Sequence, residues 1–219
     1  MSRHVRRRPR RLRPSVAVRV VLAFGLVLGV GAAATDAAWT DQEYATGTFT
    51  AGTFDIQGAT DQALTTFASH TSAAPASFTF DSTSLAAALY PGAVVASPWA
   101  LRVAAGSVRG TATLAAATLT TTSNSFATDL QYRVFWSTTN PNCTAASTST
   151  GNYLVGSATT WGAMTAAPVT TALTLAAGAS STTAGAPVYL CFQFTLPTTA
   201  SNADQGLSAS FTWTANGTT

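Results

Sequence analysis

Basic charge is scarce in most of this chain. The sequence contains no lysine, and charged residues make up 9% of its 219 positions. All eleven basic residues are arginines, and eight of them fall within the first nineteen positions. The segment after Ala38 retains three arginines against seven acidic residues, a formal charge of −4. Because nucleic-acid binding requires several clustered cations, this balance argues against nucleic acid as a partner.

Histidine and cysteine are also scarce, which limits the chemistry available to the chain. It has two histidines and two cysteines, and His70 is the one histidine beyond the basic leader. Zinc sites need several His or Cys ligands at short spacings. A serine hydrolase of the G-x-S-x-G type would carry that motif, which is absent here. The sequence therefore predicts no catalytic residue, no metal site and no cofactor, and we expect that the protein is not an enzyme.

The start of the chain has the pattern of an export signal. A basic stretch, Met1–Arg19, precedes an apolar run, Val20–Val30, and then a region of small residues. These are the three parts of a signal peptide, so residues 1–38 are predicted to form a leader. A membrane-spanning segment over residues 16–34, retained as an anchor, is the alternative. In both cases membrane contact is expected only through the signal segment.

Residues 39–219 are predicted to form a single domain, since their number suits one hydrophobic core. Apolar and polar residues alternate repeatedly along this part of the chain, which is typical of half-buried strands. The clearest alternating segments are Trp99–Val103, Leu130–Trp136, Val188–Leu196 and Leu207–Ala215. With shorter runs such as Phe49–Ile56, the pattern predicts eight or nine strands and one helical turn at Ser84–Leu89.

So many short strands without helices between them predict an all-β fold of two antiparallel sheets packed face to face, a β-sandwich. Alternation leaves the jelly-roll and immunoglobulin-like topologies open, because strand order leaves no mark on the period of one strand. Three tryptophans, Trp99, Trp136 and Trp213, lie on the apolar phase of their strands and are expected in the core. Trp161 lies in a predicted loop and could be buried or exposed.

Both cysteines lie in the predicted exported domain. Cys143 falls in a loop and Cys191 in the strongest alternating segment. Since an exported chain meets an oxidising compartment, we expect a disulfide between Cys143 and Cys191. Two buried free thiols are the alternative.

The junction between leader and domain resembles the signature of a known family. The residues Ala37–Asp41 supply two small residues, an aromatic, a polar residue and Asp, and Gly47–Ile56 reads GTFTAGTFDI. This pattern resembles the substrates of the SipW-type signal peptidase, the TasA/camelysin family of secreted proteins. Phe54 stands where the family usually has Leu, an apolar exchange.

The resemblance implies cleavage between Ala38 and Trp39 by a signal peptidase of the SipW type. It further implies a secreted, jelly-roll-like sandwich that in some family members builds extracellular matrix fibres. Some camelysin relatives carry a metallopeptidase label, which the few metal-ligating residues here do not support.

The segment Trp39–Thr48 has no clear place in the alternation of the sandwich, and it is polar with aromatic residues. We expect it to act as an assembly segment, with Trp39, Tyr44 and Phe49 as its aromatic contacts, donating a strand to the next copy. The alternative is that it frays in solvent or pairs within its own domain. The predicted function is thus a secreted or cell-surface structural protein that self-associates, as a subunit of a fibre or matrix. The alternatives are a monomeric secreted binding or adhesion module and, with less support, a secreted hydrolase.

Overall fold

The computed structural model of this chain describes residues 14–35, 42–48, 50–78, 80 and 89–219. These residues belong to two compact units, Met1–Phe49 and Thr50–Thr219. Ala38, Trp39 and Phe49 lie outside the described residues, as does the helical turn expected at Ser84–Leu89 except for Leu89.

The first unit contains one helix, α1, over Pro14–Thr35. It includes the whole apolar run that the sequence assigns to the leader, and its side chains at positions 15–26 are exposed. Sequence analysis allowed a membrane-spanning segment over residues 16–34. Among the residues that the structure describes, no helix is both long and apolar enough to cross a membrane.

The second unit is built from short strands. In chain order they are β1 (Ile56–Ala59), β2 (Val94–Val103), β3 (Gly110–Leu114), β4 (Thr118–Leu119), β5 (Gln131–Ser137), β6 (Tyr153–Val155), β7 (Gly162–Ala163), β8 (Leu173–Leu175), β9 (Val188–Thr195), β10 (Phe211–Thr212) and β11 (Ala215–Thr218). A one-turn helix, α2 (Ser125–Asp129), and a 3-10 turn, Asn202–Asp204, complete the described elements. The strands are more numerous than the eight or nine expected, because β4, β7 and β10 are only two residues long.

The strands form two layers in which all strand pairs are antiparallel. The first layer is a six-stranded sheet in the order β1-β2-β9-β5-β6, with β7 also pairing with β5. The second layer contains the order β11-β3-β8 and the pair β10-β4. A backbone hydrogen bond from the Ala115 N–H to the Thr214 carbonyl, 2.8 Å, extends the β3–β11 pairing toward β4 and β10, and the register shifts by one residue between the two pairings. The predicted all-β antiparallel fold is therefore confirmed.

The main core lies between the two layers. On β9 the alternate residues Val188, Leu190, Phe192 and Phe194 are buried there, as the alternation predicted. β2 and β5 contribute their own alternate residues from the same sheet, and β3 and β8 close the core from the other layer. Trp99, Trp136 and Trp213 pack against this core and are only partly exposed.

The opposite face of the six-stranded sheet is also covered. Cys143, in the loop between β5 and β6, forms a disulfide with Cys191 on β9, and their Cα atoms are 5.3 Å apart. Ala96 and Phe135 pack around this bridge as a second small cluster. The disulfide holds the loop over the sheet, so that β9 is buried on both faces rather than half-buried as its alternation suggested.

Candidate functional site

The second unit contains a cavity of about 1480 Å³, which we call the edge cavity. It lies where one edge of each layer comes close to the other. Ile56 and Gly58 of β1 line it from the six-stranded sheet, and Phe211, Thr212 and Ala215 line it from β10 and β11. Among the described residues, β10 and β11 each pair with a strand on one side only. The edge cavity therefore adjoins a strand edge that has no described partner.

Aromatic side chains form most of the apolar wall. The ring centroid of Phe78 lies 4.9 Å from that of Phe192 and 5.4 Å from that of Trp213. Phe80 contacts Phe194 edge-on at 5.9 Å. Further apolar lining comes from Val95, Leu101, Phe126, Leu130 and Leu196. A wall of this kind favours apolar or aromatic groups over ions.

Trp99 reaches the edge cavity across a glycine. A Cβ atom on Gly58 would lie 2.7 Å from the indole nitrogen of Trp99, closer than a side chain permits. The absence of a Cβ at Gly58 therefore leaves room for the ring against β1. The indole nitrogen is buried without a hydrogen-bond partner.

A buried carboxylate lies in the same wall. Asp204 ends the 3-10 turn Asn202–Asp204, which begins where the Ser201 hydroxyl accepts a hydrogen bond from the Ala203 N–H. Asp204 is only 5% exposed, and neither of its carboxylate oxygens has a hydrogen-bond partner in the part of the chain that the structure describes. A buried polar group without a partner carries a large desolvation cost, so Asp204 is the most unusual polar residue of the cavity.

Tyr132 lies beneath Trp213 at the inner end of the aromatic wall, and their ring centroids are 5.9 Å apart. Burial raises the pKa of the Tyr132 hydroxyl above 10.0, and the neighbouring Trp213 indole opposes this shift in part. The indole nitrogen of Trp213 is itself buried without hydrogen-bond geometry to any acceptor. Burial thus favours the neutral form of the Tyr132 hydroxyl.

The remaining predicted residues fall in separate places. Tyr44 is 82% exposed, and its hydroxyl donates a hydrogen bond to the Gln42 side chain. His70 is exposed and lines the edge cavity. Trp161 is half-buried, with the Arg133 guanidinium carbon 4.3 Å from its ring centroid. Within the described ranges, no three His, Cys, Asp or Glu residues are grouped so that they could hold a metal ion.

Sequence reasoning did not identify Asp204 or the edge cavity. The local sequence Ser201–Asp204 predicts a polar surface turn, and such turns usually expose their acids. The one signal in the sequence is that Asp204 is one of only ten charged residues after position 38.

The sequence matches no protein-family model and no curated protein. The resemblance to SipW-type substrates therefore rests on the motif residues at the leader junction, and the function must be argued from the geometry of the second unit.

Proposed function

We propose that this protein is an exported structural protein of the cell surface or extracellular matrix, which self-associates when one copy donates its N-terminal strand to the next. The observation that carries the proposal is the edge cavity, where an aromatic-lined space adjoins an edge of β10 and β11 that has no partner strand among the described residues. The disulfide between Cys143 and Cys191 is compatible with an extracellular location.

The donor is the segment that precedes the sandwich. Residues 42–48 are exposed and belong to no strand or helix. The segment offers Tyr44 from its middle and, in the sequence, Trp39 and Phe49 at its ends. An extended segment with aromatic side chains can supply both main-chain hydrogen bonds and pocket contacts to a sheet edge.

The acceptor is the edge formed by β10 and β11. Thr214 and Ser210 direct their carbonyl groups toward the partner strand, where they accept hydrogen bonds from Ala115 and Thr120. Because alternate residues of an antiparallel strand face opposite sides, Phe211, Trp213 and Ala215 direct their backbone groups away from that partner. These groups are suited to receive an added strand beside the edge cavity.

The size of the cavity also favours a peptide segment. Pockets for small molecules usually measure about 300–1,000 Å³, whereas the edge cavity measures about 1480 Å³. Since donor and acceptor are different surfaces, the contact is head-to-tail and can continue into a filament.

The proposal is tested with the processed chain beginning at Trp39 and a shortened chain lacking Trp39–Thr46. We expect high-mass species in light scattering and filaments in electron microscopy from the first chain, and monomers from the second. A chain with Tyr44→Ser serves as an intermediate variant, and one with Thr48→Ser is the matched control. If both lengths remain monomeric, the monomeric binding or adhesion module becomes the better interpretation. If both form the same fibres, assembly does not use this segment.

A further inference from the structure

The Asp204 carboxylate lacks a partner among the described residues although it is 5% exposed. Burying an unpaired carboxylate is unfavourable, and a nearby cation offsets the cost. Asp204 lines the edge cavity, so a cation would approach its carboxylate from that cavity.

The three arginines of the second unit either contact other groups or lie outside the cavity lining. Arg102 donates to the Gln57 side chain at 3.0 and 3.1 Å and lies over the Phe67 ring. Arg133 donates to the Gln193 side chain at 2.6 Å and lies over Trp161. Arg109 is exposed and does not line the cavity.

The processed chain contains no lysine, so after cleavage following Ala38 its single primary amine is the α-amine of Trp39. That group has an ordinary pKa of about 7.7–8.0 and is mainly an ammonium ion at pH 7. It also carries an indole ring, which matches the aromatic wall around Phe78 and Trp213. The new N-terminus thus carries both a positive charge, which suits Asp204, and an aromatic ring, which suits the apolar wall.

We propose that the α-ammonium group of Trp39 from a second copy pairs with the Asp204 carboxylate, while its indole packs into the aromatic wall of the edge cavity. This inference rests on the proposed function and names the contact that starts each head-to-tail junction. The second copy is the source because the proposed function already places the N-terminal strand of one copy against the next.

The pairing couples assembly to removal of the leader. Before cleavage the nitrogen of Trp39 is an amide, which has no charge to offer Asp204. After cleavage it becomes an ammonium ion, and a charge pair formed away from water is strong because the local dielectric is low. Both Asp204 oxygens are shielded from solvent in the uncleaved chain, so docking includes a local displacement of the cavity wall.

The absence of lysine permits a selective test by chemical acetylation of the processed chain, with mass spectrometry confirming one acetyl group at Trp39. Acetylation removes the positive charge and leaves the sequence unchanged. We expect association at pH 7 to weaken by about thirtyfold or more, as measured by sedimentation, since removing one partner leaves the other charge buried and unpaired. Unchanged association of the acetylated chain would overturn the inference.

Asp204→Asn provides the second arm, with Asp129→Asn as a control outside the edge cavity that keeps Asp204 intact. Asp204→Asn is expected to weaken association to a similar degree, and acetylation of that variant should cause little further loss, because the two changes remove one interaction. Independent, additive losses would show that the two groups do not meet. If the deletion of Trp39–Thr46 abolishes association while both single changes leave it intact, the strand donation holds and only the Asp204 contact is wrong.

Discussion

Gln193 lies on the face of β9 that points away from the main core, and it is nevertheless fully buried. Its side-chain oxygen accepts a hydrogen bond from Arg133 Nε at 2.6 Å. Its side-chain nitrogen donates to the carbonyl groups of Thr144 and Ser147 at 2.7 and 2.9 Å. One amide therefore connects two strands of the sheet to the loop that covers them.

Gln193→Ala should destabilise the fold by about 3 kcal/mol, because it removes the buried hydrogen bonds that the amide makes with Arg133 Nε and with the loop carbonyls. The free energy of unfolding, measured by denaturant titration, checks this. Gln205→Ala is the matched control, since Gln205 is exposed and such substitutions usually change stability by less than about 0.5 kcal/mol. Equal effects from the two variants would show that the buried network contributes no stability.

Tyr132 makes the free energy of unfolding depend on pH in the alkaline range. Burial raises the pKa of its hydroxyl above 10.0 in the folded chain, while in the unfolded chain it ionises near its ordinary pKa of about 10. The folded state thus binds the proton more tightly, and its contribution is fully present below pH 10 and is lost as pH rises through the folded pKa. We expect the free energy of unfolding to fall above pH 10, and this part of the decrease should disappear in Tyr132→Phe. An identical pH profile for the variant would contradict the assignment.

At the scale of elements, the loop between β5 and β6 is attached to the sheet by the Cys143–Cys191 disulfide, whose cysteines are 48 positions apart. Closing a loop of that length stabilises a fold by about 4 kcal/mol on the chain-entropy account, with strain reducing the gain. The double variant Cys143→Ser and Cys191→Ser should therefore lose up to about that amount, measured as a lower midpoint of denaturant unfolding. A midpoint equal to that of the parent chain would mean that packing alone holds the loop.

The edge formed by β10 and β11 allows a test of strand addition with two neighbouring prolines. Asn216 pairs with Thr113, and Ala215 pairs with Leu114. Since Thr214 accepts a hydrogen bond from Ala115, alternation directs the N–H of Asn216 into the ladder and that of Ala215 away from it. Ala215→Pro should therefore prevent association while the monomer stays folded.

Asn216→Pro is the counterpart and should destabilise the monomer by about 1–3 kcal/mol, because it removes a ladder hydrogen bond and leaves its acceptor without a donor. Circular dichroism and sedimentation together separate the two outcomes. Filaments formed by Ala215→Pro as readily as by the parent chain would show that the incoming segment does not pair with this edge.

At the scale of the whole molecule, the chain consists of a helical first unit and a β-rich second unit. We predict that the secreted form begins at Trp39, because Ala38 is the small residue before an aromatic at the family-like junction. Mass spectrometry of the secreted protein checks the mass of its N-terminal peptide. An N-terminus upstream of Ala37, or an intact leader in the membrane fraction, would contradict this prediction.

Alternation located the central strands well. The segments Leu130–Trp136 and Val188–Leu196 lie within one residue of β5 and β9 at each end. These strands have a neighbour on both sides and one face on the main core, so their apolar residues recur at every second position over a long run. Their side-chain direction is therefore visible in the sequence.

Alternation predicted the bounds of the edge strands poorly. Phe49–Ile56 was expected as a strand, whereas β1 is Ile56–Ala59. A Cβ on Gly217 would lie 2.7 Å from a ring carbon of Phe54, so Phe54 packs against this glycine outside any strand. Leu207–Ala215 was expected as one strand, whereas the structure has β10 and β11 with a break at Trp213 and Thr214. Two-residue strands are too short to show a period.

The sequence alone determined the β-rich class and the negative charge of the residues after position 38, and it predicted the pairing of the two cysteines, because each follows from local pattern or from a simple count. The tertiary structure decided that Gln193 is buried, that Asp204 lacks a hydrogen-bond partner among the described residues, and that an aromatic cavity adjoins a strand edge. The physical reason is that a period of two records which way a side chain points from its own strand. Whether that side is covered depends on segments far along the chain, such as the loop attached by Cys143 and the turn that ends in Asp204.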